Sequence, residues 1–327
     1  MKHIFIINPT SGKKRKLERL VADINSAALK LKADYEIYFT KSSGDGKNYL
    51  QNLCREHSLY NTRLTAEGKE PEILRVYGCG GDGTLNEMVN GSFGFDNIEI
   101  GIIPTGTGND YVRNYGKVSD FLNIENQMLG TAQHSDLIKY SAEYNGNITS
   151  GYGANMFNIG FDCNTVDMTD TTKTWPLLRG HPAYLVAVGI TFVKKKGANL
   201  RIEYEDGRVK DGPLLLIAIA NGCFCGGGVK GVPESILDDG LMDVSVVNDI
   251  SRGRFISLYP SYARGTHMQR HAIINNNIIE YTKEKALTVT SNEESMRFCC
   301  DGEITTQKKV TFSMVEDAFL FVVPAGL

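Results

Sequence analysis

The sequence predicts an α/β plus all-β protein, and three observations carry that prediction. Over the first third, apolar β-branched runs at 4–7, 36–40, 73–77 and 98–103 alternate with stretches of helical periodicity. From about residue 133 the pattern changes to short strands broken by Gly, Asn and Asp, as in an antiparallel β domain. Within the first third, the string GCGGDGTLNEMVNG, Gly78 to Gly91, stands where a buried strand gives way to a helix. The chain therefore divides into an α/β domain over 1–132 and a β domain over 133–327. The last strand, 319–323, is a candidate to return to the first domain.

A chain of 327 residues has mass enough for two cores. A hydrophobic fraction of 42% with 22% charged residues belongs to an ordinary globular protein. The net charge of −3 gives no global attraction to nucleic acid or to anionic lipid, so nucleic acid is not an expected partner and any membrane contact must be a local patch. Met1-Lys2-His3 runs straight into the first strand without a signal peptide. The longest apolar stretch, Ala183 to Val193, falls short of the roughly 20 residues that span a bilayer. Seven scattered cysteines, with no C-x-x-C pair, read as reduced thiols of a cytoplasmic protein; Cys223/Cys225 and Cys299/Cys300 lack the spacing of zinc sites.

The elements follow in order. Strand Ile4 to Ile7 ends in Asn8-Pro9-Thr10-Ser11-Gly12, a turn with Ser11 as a helix N-cap. Leu17, Leu20, Val21, Ile24, Ala28 and Leu31 then recur at helical spacing. Strand Glu36 to Thr40 delivers Thr40 to the end where parallel strands meet ligands. A helix over 46–59 precedes a polar insert, Asn61 to Glu72, whose Gly68 and Pro71 mark a surface loop. After the strand at 98–103 comes a second glycine loop, Pro104 to Asp110, and then helix and linker to 132. The β domain takes strands at 136–143, 147–152, 199–206, 214–220, 241–247, 288–290, 309–314 and 319–323. Pro182 to Lys196 interrupts it as an amphipathic helix covering the sheet. Its Lys194-Lys195-Lys196 end suits the helix dipole, or alternatively meets anionic lipid headgroups. His267 and His271, four apart, read as surface residues.

Glycines at 78, 80, 81 and 83 leave backbone N–H groups open at a strand-to-helix turn, and the helix dipole points its positive end at the same place. That combination makes a phosphate site. A P-loop is excluded, because G-x-x-x-x-G-K-[ST] occurs nowhere. Gly78, Gly80 and Gly83 satisfy G-x-G-x-x-G, but the next strand ends in Pro104-Thr105 rather than the acidic residue that holds a ribose.

GGDGTLNE, that is Gly80, Gly81, Asp82, Gly83, Thr84, Leu85, Asn86 and Glu87, resembles the nucleotide-binding signature of the diacylglycerol kinase catalytic domain family. That family includes bacterial lipid kinases and the sphingosine and ceramide kinases, with NAD kinases as distant relatives. PTGTGND, Pro104 to Asp110, is similar to its second signature, and NPTSG, Asn8 to Gly12, to its first turn. Asn158-Ile159-Gly160-Phe161-Asp162 resembles a family segment that lines the cleft between the domains. Gly226-Gly227-Gly228, Pro233 and Asp239-Gly240-Leu241-Met242-Asp243 resemble its GGG…P…DG.LD stretch.

The resemblance runs from residue 8 to about 303 and implies a Rossmann-like α/β domain of NAD kinase/diacylglycerol kinase type, followed by an antiparallel β-sandwich. It implies transfer of the γ-phosphate of ATP to a lipid hydroxyl with Mg²⁺, diacylglycerol being the first acceptor and the contact with the membrane peripheral. Asn8, Pro9, Thr10, Ser11, Gly12, Thr40, the residues from Gly80 to Glu87, Thr105 and Asp110 would bind the nucleotide, with Asp82 organising Mg²⁺–ATP. Glu303, in Asp301-Gly302-Glu303, would be the general base, since a carboxylate is ionised at neutral pH and accepts a proton. A structural magnesium would take the Asp239 carboxylate and the carbonyls of Ile236 and Leu241; an Asp-Gly turn alone explains the same residues. Two other functions stay open: an NAD kinase-like enzyme acting on a soluble hydroxyl, and a non-catalytic nucleotide sensor. The oligomeric state is open as well, a homodimer included.

Overall fold

The computed structural model describes residues 1–9, 14–160, 197–269 and 277–327. The chain forms two compact units, one of Met1–Asp136 with Glu316–Leu327 and one of Leu137–Val315. The mixed α/β unit and the β-sandwich are those the sequence predicts.

The first unit begins with β1 (Lys2–Ile7), α1 (Lys14–Leu31), β2 (Asp34–Phe39), α2 (Asp45–Ala66), β3 (Leu74–Gly80), α3 (Asp82–Ser92) and β4 (Ile98–Pro104). The strands pair in parallel in the order β4-β3-β1-β2, with Ile7 beside both Phe39 and Cys79, and Gly80 beside Pro104. All seven residues of β3 and of β4 are buried, as expected of a parallel sheet covered on both faces. The apolar stripe of α1, from Leu17 to Ala28, packs on Phe5, Ile7, Tyr77 and Cys79.

Two stretches differ from the sequence expectation. The polar insert at 61–72 is not all loop, because α2 continues to Ala66. Gly68, at φ +73°, then closes the helix while the Lys69 N–H donates to the Leu64 carbonyl at 2.9 Å. The Asn61 amide makes two 2.9 Å bonds to the Glu72 backbone and ties the returning chain to the helix. An exposed polar helix face shows no apolar period, which hides this last turn and a half. The region 111–128 is built from short turns, Tyr111–Asn114 and Val118–Leu122, and a five-residue α4 (Ile124–Met128). Side chains hold it in place of periodicity. Buried Arg75 pairs with Glu99 at 2.6 Å and donates to the carbonyls of Met128 and Gly130, and Gln127 donates to the Ile102 carbonyl.

The second unit follows β5 (Thr131–Tyr144), which starts in the first. It comprises β6 (Asn147–Gly153), β7 (Met156–Gly160), β8 (Ala198–Tyr204), β9 (Val209–Ala220), β10 (Met242–Asn248), α5 (Arg252–Ala263), β11 (Ile279–Glu284), β12 (Ala286–Ser291), β13 (Met296–Cys300), β14 (Glu303–Gln307) and β15 (Lys309–Val323). Its described pairings are antiparallel. The far half of β9 lies between β7 and β10, and its near half pairs with β8. One face buries Phe157, Phe298 and Phe312, the first two stacked at 5.6 Å. The other face carries Met156, Leu216, Ala218, Ala220 and Val247 against Val232 and Tyr262.

The stretches at 309–314 and 319–323 are one continuous strand, β15. Its first part pairs antiparallel with β12 and its last part pairs parallel with β4, Leu320 beside Glu99. β7, β11, β13, β14 and α5 have no separate counterpart in the expected element list. The expected helix at 182–196 and its lysine run lie outside the described residues, as do Phe161, Asp162 and His271. His267 is a correction: it is fully buried rather than on the surface. Gly265, at φ +73°, turns the chain after α5 and brings the His267 ring to 4.9 Å from the Tyr262 ring.

Candidate active site

β3 leaves the sheet at Gly80, and α3 starts after Gly81, which has an extended backbone and no side chain to cap the helix. Nothing lies within 4 Å of where a Cβ on Gly83 would be, so the side of α3's first turn at Gly83 is open, while the Thr84 N–H folds back to the Gly81 carbonyl at 3.0 Å. The second glycine loop packs against the first through backbone. The Gly80 carbonyl accepts the Thr105 N–H at 2.8 Å and the Gly106 N–H at 3.1 Å. A Cβ on Gly106 would collide with the Cα of Gly81, so this approach requires glycine. Asp82 completes the brace, its Oδ1 accepting the N–H groups of Asp110 at 2.8 Å and Tyr111 at 3.4 Å. Asn109, at φ +53°, donates to the Gly106 carbonyl, and Arg113 donates to the Gly108 carbonyl. Between the loops lies a small pocket lined by Gly81, Asp82, Leu85, Ile102, Asn109 and Tyr111. Burial pushes the Asp82 carboxyl up, and the backbone N–H donors of Asp110 and Tyr111 oppose that push.

The other expected nucleotide residues fall at the same sheet end or just behind it. Asn8 follows β1 and donates its N–H to the Cys79 carbonyl, and Pro9 is exposed beside it. Thr10, Ser11 and Gly12 lie outside the described residues. Thr40 follows β2 and donates its N–H to the Ile7 carbonyl at 2.9 Å. Asn8, Thr40 and Thr105 therefore stand in the row of strand ends where α/β sheets bind ligands, and Thr84 lies beside them in the first turn of α3. Leu85 is buried, and the Asn86 carbonyl accepts from the Asn90 amide. Glu87 has a second attachment. Its carboxylate accepts the N–H groups of Gly44 at 2.9 Å and Lys47 at 3.2 Å, so it caps the head of α2. Asp110 lies 3.5 Å from the Arg113 guanidinium.

In the second unit, Asp301 and Gly302 form the two-residue turn between β13 and β14, at φ +44° and +96°. The Asp301 carboxylate accepts the N–H groups of Met156 at 3.0 Å and Ala154 at 3.2 Å, while its own N–H donates to the Met156 carbonyl. The turn is thereby stapled to the start of β7, and Glu303, the next residue, is exposed. Sequence reasoning assigned Asp301 no work of its own.

The loop expected to hold a structural magnesium has a different cation in it. Lys283 Nζ lies 2.6 Å from Asp239 Oδ2 and 3.3 Å from Asp243 Oδ2, while Asp239 Oδ1 accepts the Leu241 N–H at 3.1 Å. Asp243 is fully buried and also accepts the Tyr281 hydroxyl at 2.8 Å. Both oxygens of Asp239 thus have donors. No group of three His, Cys, Asp or Glu residues that could hold a metal occurs among the described residues. A divalent cation does not fit beside the ammonium as arranged, and no chemical step is assigned to one there. Lys283 and Tyr281 come from a strand some forty residues downstream, and no local motif marks them.

Residues 2–140 match the diacylglycerol kinase catalytic domain, and residues 155–323 match the YegS C-terminal NAD kinase beta sandwich-like domain. A diacylglycerol kinase of Bacillus subtilis (strain 168) is 28% identical over 304 residues, 91% of this chain and 88% of its own. A diacylglycerol kinase of Staphylococcus carnosus (strain TM300) is 28% identical over 312 residues, 94% of this chain and 90% of its own. The crystal structure of a diacylglycerol kinase from Bacillus anthracis str. Sterne shares the fold, with a TM-score of 0.66 at 20% identity over 99% of this chain and 97% of that one. Braced glycine loops on a parallel sheet, followed by a β-sandwich, define a two-domain kinase. The chain belongs to the diacylglycerol kinase catalytic domain family, a family of lipid kinases.

Proposed function

We propose that the protein transfers the γ-phosphate of ATP to the hydroxyl of a membrane lipid, diacylglycerol first, giving phosphatidic acid and ADP. The observation that carries the reading is the brace between the two glycine loops. The Gly80 carbonyl holds the Thr105 and Gly106 N–H groups and the Asp82 carboxylate holds Asp110 and Tyr111, which leaves an uncapped helix N-terminus for an anion. The names of the relatives support a lipid acceptor.

The N–H groups of α3's first turn take the phosphate oxygens. Asn8, Thr40, Thr84 and Thr105 offer donors to the rest of the nucleotide, whose Mg²⁺ supplies charge neutralisation at the phosphates. Asp82 is the carboxylate at the cradle and would face that ion, so a glycine cradle with one carboxylate suits Mg²⁺–ATP. Glu303 takes the proton of the acceptor hydroxyl as the new O–P bond forms and the bond to the β-phosphate oxygen breaks. Positioning and electrostatics carry most of the rate. The acceptor lipid would be met at the membrane surface; no helix among the described residues is long and apolar enough to cross a membrane.

The test is transfer of labelled γ-phosphate to a lipid panel in mixed micelles, comparing the wild type with Asp82→Asn and Glu303→Gln. A labelled lipid that disappears in both variants supports the reading. Labelling of a soluble hydroxyl such as NAD, with no lipid labelled, overturns it.

A further inference from the structure

Tyr140, on β5, packs against the sheet face that carries Glu303. Cys300 pairs with Glu303 across the β13–β14 turn and with Phe157 across β13 and β7, and directly paired residues project to one face. Glu303, Cys300 and Phe157 therefore form a row. The Tyr140 ring packs at the end of that row, edge-on to Phe157 at 5.5 Å and 5.6 Å from Phe298. At about 4.8 Å per strand the Glu303 backbone is roughly 10 Å from that of Phe157, a span that a glutamate side chain and a phenol cover together. Two glycines of β6 make room for the rings. Tyr140 pairs with Gly151, where a Cβ would lie 3.0 Å from the Tyr140 hydroxyl, and a Cβ on Gly153 would lie 2.5 Å from the Phe157 ring.

The hydroxyl of this clamped ring forms no hydrogen bond among the described residues. Burial first, and then the charges of Cys300, Glu303 and Asp301, push the phenol up to about 12, so it keeps its proton at neutral pH and is a donor. Cys300 is itself pushed well up by burial and is a neutral thiol there. The Asp301 carboxylate is taken by the N–H groups of Ala154 and Met156. That leaves the Glu303 carboxylate, which accepts only, and the Tyr140 phenol, which has a proton to donate. The charge of one acts on the other, yet no hydrogen bond joins them, so a third group can stand between. An alcohol fits that place: it donates its proton to the carboxylate and accepts from the phenol.

We propose that Tyr140 positions the acceptor lipid, its O–H donating to the oxygen of the alcohol whose proton Glu303 takes. The inference rests on the lipid-kinase reading above. The alcohol donates its own O–H to Glu303, accepts from Tyr140 with one lone pair, and keeps the other for phosphorus. As the O–P bond forms and the bond to the β-phosphate oxygen breaks, the alcohol's proton passes to Glu303 and Tyr140 retains its own. In a loose transition state little bonding to the attacking oxygen has developed, so a donor on that oxygen costs little rate, whereas the orientation it imposes contributes fully.

The experiment uses the full chain in mixed micelles with diacylglycerol and Mg²⁺–ATP. Tyr140→Phe keeps the ring and its packing. Its kcat falls about tenfold, the scale of one lost hydrogen bond, while KM for ATP and the unfolding midpoint stay near wild type. Replacing Tyr140 with 3,5-difluorotyrosine keeps the O–H and makes it more acidic. That protein recovers kcat at neutral pH and loses rate at high pH where the wild type does not, because an ionised phenol cannot donate; a merely structural tyrosine gives neither effect. Should Tyr140→Phe fail to fold, the pH profile of the difluorotyrosine protein decides alone. If the wild type phosphorylates diacylglycerol and Tyr140→Phe does so with unchanged kcat, or the difluorotyrosine protein follows the wild-type pH profile, the Tyr140 assignment is wrong and the kinase reading stands. If the wild type labels no lipid at all, both fall.

Discussion

Lys283 Nζ stands 2.6 Å from the Asp239 carboxylate and 3.3 Å from that of Asp243, in the loop where the family resemblance implies a divalent cation. The ammonium does locally what such an ion would do: it offsets two carboxylates, one of them fully buried. Lys283→Met should destabilise the second unit by about 2 kcal/mol, less than the roughly 3–5 kcal/mol of a fully buried broken pair because Lys283 is partly exposed. Removing the ammonium opens the site, so Mg²⁺ at ten times its Kd should restore about 1.4 kcal/mol. Denaturant unfolding with chelator and with Mg²⁺, in the absence of nucleotide, measures both. A wild type whose stability responds to Mg²⁺ as the variant's does would show that the ion does not compete with Lys283.

Glu87 belongs to the nucleotide signature, yet its carboxylate is engaged by the N–H groups of Gly44 and Lys47 at the head of α2. Glu87→Ala should therefore cost stability, about 1–2 kcal/mol for a lost cap with two donors left bare. Any rise in KM for ATP should scale with the displaced α2 rather than with a lost phosphate contact. Urea unfolding alongside ATP titration checks this; unchanged stability with tenfold weaker ATP binding would return Glu87 to direct nucleotide contact.

What the sequence shows of this architecture follows the range of the interactions. β1, β3 and β4 are continuous apolar runs, and each glycine loop lies within a dozen residues of its strand, so the α/β layer and its loop positions are legible locally. The change to antiparallel strands is legible too. Missing from the pattern are β13 and β14, whose Met-Arg-Phe-Cys-Cys and Glu-Ile-Thr-Thr-Gln are too short for a period to emerge, and α5, which carries Pro260 inside it. His267 reads as a surface residue because its surroundings come from the fold: its ring stands 4.9 Å from that of Tyr262, and it lines one pocket with Leu216 and Ile279, which no local window connects to it. Lys283 meets Asp239 across 44 positions of sequence and Asp301 meets Ala154 across 147, and only the fold brings such pairs together.

Gly106 marks how tightly the two loops pack. A methyl group there meets the Cα of Gly81 and also the Asn109 side chain at 3.0 Å, and the backbone atom cannot move aside alone. Gly106→Ala should cost about 1–3 kcal/mol, as overpacking does, and should break the bonds from Thr105 and Gly106 to the Gly80 carbonyl. Nucleotide affinity should fall at least tenfold. Gly83→Ala, with nothing within 4 Å of the added methyl, should leave stability within about 0.5 kcal/mol and is the control for the unfolding measurement alone, since Gly83 belongs to the proposed phosphate cradle. Thermal unfolding of the pair, with nucleotide titration of Gly106→Ala against the wild type, decides whether the loop contact matters.

Two buried histidines give the stability a defined acid limb. Burial first, and then Arg75 nearby, lowers His3 to about 4; burial likewise lowers His267 to about 4. Both lie below the roughly 6.5 of an unfolded histidine. Between pH 6.5 and 4 the unfolded chain holds protons that the folded chain does not, so stability falls as pH falls across that window, by at most roughly 1.4 kcal/mol per pH unit for each ring. The difference in unfolding free energy between wild type and His267→Leu should shift by about 2 kcal/mol in the variant's favour from pH 7 to pH 4.5. Parallel curves for the two proteins across that range would mean that His267 takes up its proton while folded.

Asp301 and Glu303 separate placement from proton transfer. Asp301 grips the N–H groups of Ala154 and Met156 and fixes the turn, whereas Glu303 is exposed and free of that work. Asp301→Ala should lower stability by about 1–2 kcal/mol, the cost of two lost backbone bonds at a partly buried site. Under the proposed reaction it should also reduce kcat at least tenfold by letting the turn drift, with little change in KM for ATP. Glu303→Gln should leave the unfolding transition unchanged and reduce kcat by roughly 10²–10⁴, the usual span for a lost general base. The double variant discriminates. Once residue 303 cannot accept a proton, its position ceases to matter, so Asp301→Ala should add almost nothing to Glu303→Gln in kcat while still lowering stability. Additive losses in kcat would show that Asp301 serves the reaction by a route that does not pass through Glu303.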